Sequence, residues 1–158
     1  MIQITELSFL ESKKLLYTFQ KLEKSYGADW YDCEEEDASY IWIIENIDNP
    51  LGFLSYKVFL HPNQRDFIYI VKIYVREAHR GENPILIDNR RVSKILFREI
   101  NKKDVDLLTL ESADEKLDKY YKKLGFQYNA DISREIASII GINEQVMYRA
   151  KINRKVQT

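Results

Sequence analysis

The chain has 158 residues, of which 45% are hydrophobic, and this length and composition suit a single domain over residues 1–158 with its own core. Its 24 Lys and Arg residues nearly balance 25 Asp and Glu residues, so no overall charge would attract nucleic acid or an anionic membrane. Cys33 is the single cysteine, which excludes an intramolecular disulfide. With no signal-like N-terminus and no membrane-spanning apolar run, we expect a cytoplasmic protein.

The first half of the chain predicts a strand, a helix and then an antiparallel meander. Ser8 is placed to cap the helix, whose apolar face runs from Leu10 to Leu22. Turn-forming residues separate the later runs of β-forming residues. The strands predicted in this half cover residues 1–7, 39–45, 51–60 and 67–75.

A loop and a long helix follow the strand at 67–75. We expect Asn83 to cap this helix and Pro84 to occupy its first turn, with Asp88 as a competing start. The apolar residues predicted for its buried face are Ile85, Leu86, Val92, Ile95, Leu96, Phe97 and Ile100. A strand that ends beside a helix N-terminus gathers free N–H groups and the positive end of a helix dipole, so this point is a candidate anion site.

The second half predicts further strands and helices and completes the fold class. A strand at 105–111 after a helical crossover favours parallel pairing with the strand at 67–75. Asp114 and Gly125 are expected to bound the next helix. A short strand at 126–128, a helix at 132–140 and a strand at 145–152 follow. The prediction is an α/β fold (α+β, mixed sheet) covered by helices.

Three segments of the chain resemble the GNAT superfamily of acyl-CoA-dependent N-acyltransferases. Residues 73–81, IYVREAHRG, are similar to its central strand and the start of its Arg/Gln-x-x-Gly-x-Gly/Ala pyrophosphate loop. Residues 117–126, LDKYYKKLGF, resemble the helix with the Leu-Tyr-x-Lys-Leu-Gly-Phe signature, and Met147-Tyr-Arg resembles the last strand. The resemblance implies a GNAT-like fold, with a central mixed and mostly antiparallel sheet flanked by helices.

The resemblance also implies acetyl-CoA as co-substrate, entering between the strands at 67–75 and 105–111. Backbone groups of the first strand would pair with the pantetheine arm, namely those of Ile73, Tyr74 and Val75. The loop residues that would bind the pyrophosphate are Arg80, Gly81, Glu82, Asn83 and Ile85. The family usually has glycine, or glycine or alanine, where this chain has Asn83 and Ile85, and a few residues are added after the loop.

Transfer of an acetyl group to an amine needs a neutral amine, a polarised carbonyl and a proton for the departing thiolate. Tyr121 stands where the family often has that acid, although Tyr120 and Tyr121 can also be two packing residues among eleven tyrosines. Many relatives place a glutamate on the central strand near the positions that match Val71 and Lys72, and this chain has none there. Glu111 is the candidate base, with Asp66 or a water relay behind it, and a solvated strand-end carboxylate is the alternative.

The acceptor entrance in relatives matches the region around Trp30, Tyr31 and the acidic run from Glu34 to Asp37. Carboxylates and aromatic faces attract cations, so these residues are candidates for binding a polyamine or a peptide amine. The alternative is a solvated acidic face. His79 is either a phosphate contact or a loop residue without a further role.

The predicted function is an acetyl-CoA-dependent N-acetyltransferase acting on a primary amine of a small molecule or peptide, without nucleic acid or membrane partners. No metal is expected, because the two histidines and one cysteine lack metal-ligand spacing. The alternatives are a non-catalytic binding or assembly protein with the same fold, and an enzyme for longer acyl groups. A homodimer through the last strands or a sheet edge is compatible with the sequence.

Overall fold

The computed structural model describes residues 2–26, 34–63, 65–112, 115–142 and 146–150. Within these residues the chain forms a mixed sheet of six strands in the order β1-β2-β3-β4-β5-β6, together with four α-helices. The expected mixed α/β class is therefore confirmed. No helix among the described residues is long and apolar enough to cross a membrane.

The chain divides into two compact units, Met1–Tyr56 with Lys72–Lys103, and Lys57–Val71 with Asp104–Thr158. The strands β3 and β4 each contribute residues to both units. The elements of the first half of the chain are β1 (Gln3–Ser8), α1 (Phe9–Leu22), β2 (Ser39–Asn46), β3 (Asn49–Phe59) and β4 (Phe67–Val75). The remaining elements are α2 (Val92–Asn101), β5 (Leu107–Glu111), α3 (Glu115–Lys123), α4 (Ala130–Ile140) and β6 (Val146–Ala150).

The first unit is built on an antiparallel meander. β1 pairs with β2 and β2 with β3, both antiparallel. Ser8 caps α1 as predicted, in a reciprocal capping box with Glu11. One core cluster of this unit is largely aromatic because α1 lays Phe19 on rings carried by β2 and β3; its buried members are Leu15, Leu16, Phe19, Tyr26, Ala38, Tyr40, Trp42, Ile44 and Phe53.

The second unit contains the parallel pair. Ile68, Tyr69 and Ile70 of β4 align with Leu108, Thr109 and Leu110 of β5, which confirms the predicted parallel pairing, and β6 joins β5 antiparallel. The buried hydroxyl of Thr109 donates to the Ile68 carbonyl across this pair (2.9 Å). α4 covers a separate core made of Phe67, Ile136, Ala137, Val146 and Tyr148. The expected strand at 126–128 is reduced to a single bridge between Gln127 and Tyr148.

The predicted start of α2 is wrong. Neither Asn83 nor Asp88 caps the helix, which begins at Val92 with Arg91 as the N-cap residue. The predicted spacing from Val92 to Ile100 does form its buried face, but Ile85 and Leu86 are 55% and 47% exposed. The reason is local: Ile87 and Arg90 exchange backbone hydrogen bonds around a tight turn. Its central residues have positive φ (Asp88 49°, Asn89 63°), which ends any helix through this segment.

Candidate functional site

The end of β4 and the loop after it form the candidate anion site in the first unit. The loop begins with a 3-10 turn, Glu77–His79, and continues through Arg80 and Gly81. Among the described residues, the amides of Gly81, Glu82 and Asn83 donate to no protein acceptor, and all these residues are exposed. Successive backbone N–H groups without internal partners are suited to bind an anion such as a phosphate.

The loop is closed by bonds of its own. The Ile85 N–H donates to the Ala78 carbonyl (2.9 Å), and Nδ1 of His79 donates to the Ile85 carbonyl (3.0 Å). Gly81 has a φ of 86°, a conformation that favours glycine, and a methyl group built on it would meet nothing within 4 Å. His79 therefore has an internal role in the loop, while Ile85 is held by its backbone with an exposed side chain.

A buried glutamate fastens this loop to the end of α1. Glu23 is 4% exposed, and its carboxylate accepts from the Glu77 N–H (2.7 Å) and from the Ser25 hydroxyl (3.1 Å). Arg80 Nη2 lies 3.5 Å from the same carboxylate and donates to Ser25 Oγ (3.1 Å). Ser25 Oγ also lies 2.5 Å from the hydroxyl of Tyr74 on β4. Sequence reasoning missed Glu23 because these bonds join residues far apart in the chain.

The N-terminus of α2 lies against the end of β4. A methyl group built on Gly52 of β3 would lie 3.0 Å from the Tyr74 carbonyl oxygen and 3.1 Å from Cγ1 of Val92. Among the described residues no side chain caps the helix, and its first turn carries no acidic residue. Arg90, Arg91 and Lys94 surround this start in the sequence. An uncapped helix start among cations favours an anion, so these residues join the candidates that the wrong helix boundary concealed.

Replacing Gly52 with alanine tests this close approach. The new methyl group would be 3.0 Å from a backbone oxygen and 3.3 Å from Cα of Val75, so the strands or α2 must shift. We expect a loss of about 1–3 kcal/mol in the free energy of unfolding, the usual cost of overpacking. Urea denaturation measures it. A variant as stable as the wild type would show that the neighbouring backbone yields at no cost.

A second buried carboxylate lies beneath β4. The side chain of Glu34 is 1% exposed, and its Oε2 lies 2.5 Å from Nζ of Lys72 on β4. The hydroxyls of Tyr26 and Tyr40 also donate to this carboxylate, at 2.8 Å and 2.7 Å. Lys72 and Tyr74 are two residues apart on one strand and therefore point to the same face of the sheet. The oxygens of Glu34 are thus engaged within the protein, while Glu36 and Asp37 of the acidic run are exposed.

The pKa of Tyr40 is raised above its ordinary value of 10.0, mainly by burial and then by the hydrogen bond to Glu34. A raised folded-state pKa means that the neutral hydroxyl stabilises the fold below about pH 10, and that this contribution is lost as the pH rises further. We expect Tyr40→Phe to cost about 1–3 kcal/mol at neutral pH, because Glu34 loses a donor.

The same variant should lose less stability than the wild type between neutral pH and pH 11. Urea denaturation across this range measures the difference. Tyr128→Phe is the matched control, because Tyr128 is 47% exposed. If wild type and Tyr40→Phe lose the same stability at alkaline pH, the raised pKa of Tyr40 in the folded protein is contradicted.

The candidates for acid and base lie in the second unit. Tyr121 is partly buried near the end of α3, and its ring packs edge-on against Phe126 (6.1 Å). Its carbonyl accepts from the Phe126 N–H (3.0 Å), and Gly125 turns the chain with a φ of 95°. The motif Tyr-Lys-Lys-Leu-Gly-Phe is thus a helix end with a buried phenylalanine. Glu111 is the exposed last residue of β5 and pairs in register with Val146.

β6 supports this helix end. Arg149 Nη1 donates to the Leu124 carbonyl (3.0 Å), and its guanidinium lies 5.7 Å from the centre of the Phe126 ring. Burial lowers the pKa of Arg149.

The base candidate Asp66 is exposed, just before β4. Trp30, Tyr31, Cys33 and Asp114, which the sequence analysis singled out, lie outside the described residues.

A pocket of about 430 Å³ opens beside the anion loop. It is lined by Leu22, Glu23, Lys24, Arg76, Glu77 and Ala78. Arg76 is held by Asn49, whose side-chain oxygen accepts from Arg76 Nη1 (2.8 Å). Because its lining carries both signs of charge, charge alone does not select the class of molecule that it would hold.

Solved structures with a similar fold include acetyltransferases. The chain is similar to GCN5 of Tetrahymena, with 14% identity and a TM-score of 0.65 over 94% of this chain and 95% of that one. An acetyltransferase of the GNAT family from Staphylococcus aureus Mu50 has 16% identity and a TM-score of 0.63, covering 95% and 99%. An aminoglycoside acetyltransferase from an uncultured soil metagenomic sample has 20% identity and a TM-score of 0.55, covering 82% and 94%.

These likenesses establish the class of fold. The model of the Acetyltransferase (GNAT) family matches residues 6–126, and the chain belongs to this family. The resemblance noted in the sequence is thereby confirmed. No curated relative matches the chain significantly by sequence. The family implies acyl transfer.

Proposed function

We propose that the protein transfers an acetyl group from acetyl-CoA to a primary amine of a small molecule, polyamine or peptide, in the cytoplasm. The observation that carries this proposal is the run of amides at Gly81, Glu82 and Asn83, which have no protein acceptor among the described residues. In a chain of the GNAT family, such a loop after β4 is suited to the pyrophosphate of coenzyme A.

The anion loop supplies neutral and charged donors for that pyrophosphate. Arg80 is 45% exposed, so part of its guanidinium faces solvent beside the free amides. The uncapped start of α2 adds a helix dipole, with Arg91 at the N-cap position. Ile85 contributes an exposed apolar side chain. The Arg80 charge and the helix dipole would offset the loss of the glycines that relatives have where this chain has Asn83 and Ile85.

The backbone of β4 is proposed to hold the pantetheine arm. The parallel ladder with β5 covers Ile68–Ile70, and β4 continues beyond it to Val75. Backbone groups of Ile73, Tyr74 and Val75 would then pair with the amides of the arm as an added strand does. An amide near Tyr74 or Val75 would polarise the thioester carbonyl.

The reaction itself is direct attack of the neutral amine on the thioester carbonyl. The nitrogen lone pair forms the new C–N bond, the C–S bond breaks, and Tyr121 protonates the departing sulfur. The amine proton passes to a base, for which Glu111 is the proposed group. The partial burial of Tyr121 against Phe126 and the exposure of Glu111 are compatible with these roles.

Release of the coenzyme A thiol tests the proposal. Purified protein with acetyl-CoA is offered a panel of polyamines, aminoglycosides, amino acids and peptides with free N-termini, and free thiol is followed with a chromogenic disulfide. We expect release that depends on both the protein and one class of amine. No release above the hydrolytic background with any amine would contradict the proposal.

The second candidate is a non-catalytic binding or assembly protein that has kept this fold. The observation that favours it is the segment 84–91, which separates the free amides from the start of α2. Arg80 also contacts Glu23 within the protein. This candidate predicts no binding of coenzyme A. Thiol release with longer acyl-CoA donors tests whether the enzyme accepts longer acyl groups. Sedimentation analysis tests whether the protein is a homodimer.

A further inference from the structure

Glu23 is a buried charge whose partners concentrate on one loop. It closes the end of α1, where its N–H donates to the Phe19 carbonyl (2.9 Å), and its carboxylate is turned toward the segment that follows β4. Among the described residues its carboxylate accepts from the Glu77 amide and the Ser25 hydroxyl and forms an ion pair with the Arg80 guanidinium, and Glu77 and Arg80 both belong to the anion loop. One carboxylate therefore fixes the loop at two points.

Ser25 extends this connection to the strand. Its Oγ lies within hydrogen-bond distance of Tyr74 on β4 and of Arg80 (2.5 Å and 3.1 Å). The Arg80 guanidinium also lies 5.8 Å from the centre of the Tyr74 ring. The loop is consequently held from both sides, by the end of α1 and by the end of β4, at the residues proposed to bind the cofactor.

Burial makes these bonds hard to break. Glu23 is 4% exposed, and a buried carboxylate without partners strongly destabilises a protein. Opening the loop would remove its partners and leave the negative charge of Glu23 uncompensated. Arg80 is thereby held through Nη2, and among the described residues its other guanidinium nitrogens donate to no protein acceptor. A guanidinium fixed on one edge and open on the other is preorganised for an anionic ligand, which lowers the entropy lost on binding.

We propose that Glu23 is a positioning residue for cofactor binding, acting through the Glu77 amide and Arg80 without contacting the cofactor. This inference rests on the proposed function, since it assumes that the loop binds coenzyme A. It assigns a negative charge the task of improving the affinity for a negative ligand, the reverse of what direct electrostatics predicts. That reversal makes the inference testable.

The test compares Glu23→Gln with Glu34→Gln by calorimetric titration with desulfo-CoA and with adenosine diphosphate. Both variants remove one buried carboxylate from the same unit, but the recorded partners of Glu34 are Tyr26, Tyr40 and Lys72. We expect Glu23→Gln to bind both ligands about tenfold more weakly, as the loss of charge-assisted hydrogen bonds predicts, and Glu34→Gln to bind adenosine diphosphate within about twofold of wild type.

Turnover and exchange measurements separate positioning from general damage. Glu23→Gln should raise the Michaelis constant for acetyl-CoA while turnover at saturation is kept, and hydrogen exchange at the Glu77 amide should accelerate. If Glu23→Gln does not fold, Ser25→Ala replaces it, with an expected loss of about threefold in affinity.

The outcomes are distinct. If wild type and Glu23→Gln bind coenzyme A equally well, the inference is overturned and the proposed function stands. Equal weakening in Glu23→Gln and Glu34→Gln also overturns it, because any lost buried charge would then have the same effect. Wild type that fails to bind overturns the proposed function and this inference together.

Discussion

Replacing Lys72 with methionine is expected to lower the free energy of unfolding by about 3–5 kcal/mol, the usual result of removing one partner from a buried ion pair. Lys72 and Glu34 have side chains that are 11% and 1% exposed, and 2.5 Å separates Nζ from the carboxylate. Methionine keeps most of the length of the side chain and removes its charge. The carboxylate of Glu34 would then keep only the hydroxyls of Tyr26 and Tyr40 among its recorded donors.

The double variant Lys72→Met with Glu34→Gln is the control for this interpretation. Because it removes both charges, it should recover most of the lost stability, and the coupling between the two positions should exceed about 1 kcal/mol. Urea denaturation of the four proteins in the cycle measures it. A loss below about 1 kcal/mol in Lys72→Met would show that water reaches the pair and that the pair behaves as an exposed one.

Changing Tyr121 to phenylalanine is expected to lower turnover by about 10²–10⁴-fold, the usual contribution of a general acid, with little change in affinity for acetyl-CoA. Phenylalanine keeps the ring that packs against Phe126 and removes only the hydroxyl. The protein should therefore fold normally, and steady-state kinetics of thiol release should show the loss in the turnover number.

Tyr120→Phe is the matched control, since its ring lies next to that of Tyr121 on the same helix (5.7 Å between centroids). It should retain wild-type turnover to within a few-fold. Equal turnover in Tyr121→Phe and wild type would remove Tyr121 from the role of acid, and equal losses in both variants would indicate a packing effect on α3.

Local patterns were sufficient to predict most of the fold. The strand at 67–75 is confirmed with its predicted bounds, because its β-branched and aromatic residues have no competing local structure. The cap at Ser8 and the glycine at 125 are likewise confirmed by their hydrogen bonds and backbone angles. Each of these features depends on residues within one turn or one strand.

The sequence predicts the wrong start for α2 because the Asn83-Pro84 pair is typical of a helix N-terminus, whereas the turn at Asp88 and Asn89 is harder to recognise. Asp88 and Asn89 are residues that tolerate positive φ, and they form the turn that keeps segment 84–91 out of the helix. The bond from the Ile85 N–H to the Ala78 carbonyl closes the loop in a way that no residue spacing indicates. The cofactor candidates Arg90, Arg91 and Lys94 follow only once this boundary is known.

The two buried glutamates lay beyond sequence reasoning for a different reason. Glu34 was predicted to bind a cationic acceptor, and that stays a prediction, but its carboxylate is engaged by Lys72 and two tyrosines. Glu23 contacts Glu77 and Arg80 across more than fifty residues of sequence. Carboxylates in an acidic segment look alike in a sequence, and only the fold distinguishes a buried one from a solvated one.

The measurement that tests the account most directly is hydrogen exchange of the Gly81, Glu82 and Asn83 amides, with and without saturating desulfo-CoA, alongside a calorimetric titration with acetyl-CoA and an adenosine diphosphate control. The account predicts saturable binding and slower exchange at these amides, because the pyrophosphate accepts from them. Absence of binding at millimolar ligand would contradict cofactor binding, and binding without protection of these amides would place the cofactor elsewhere.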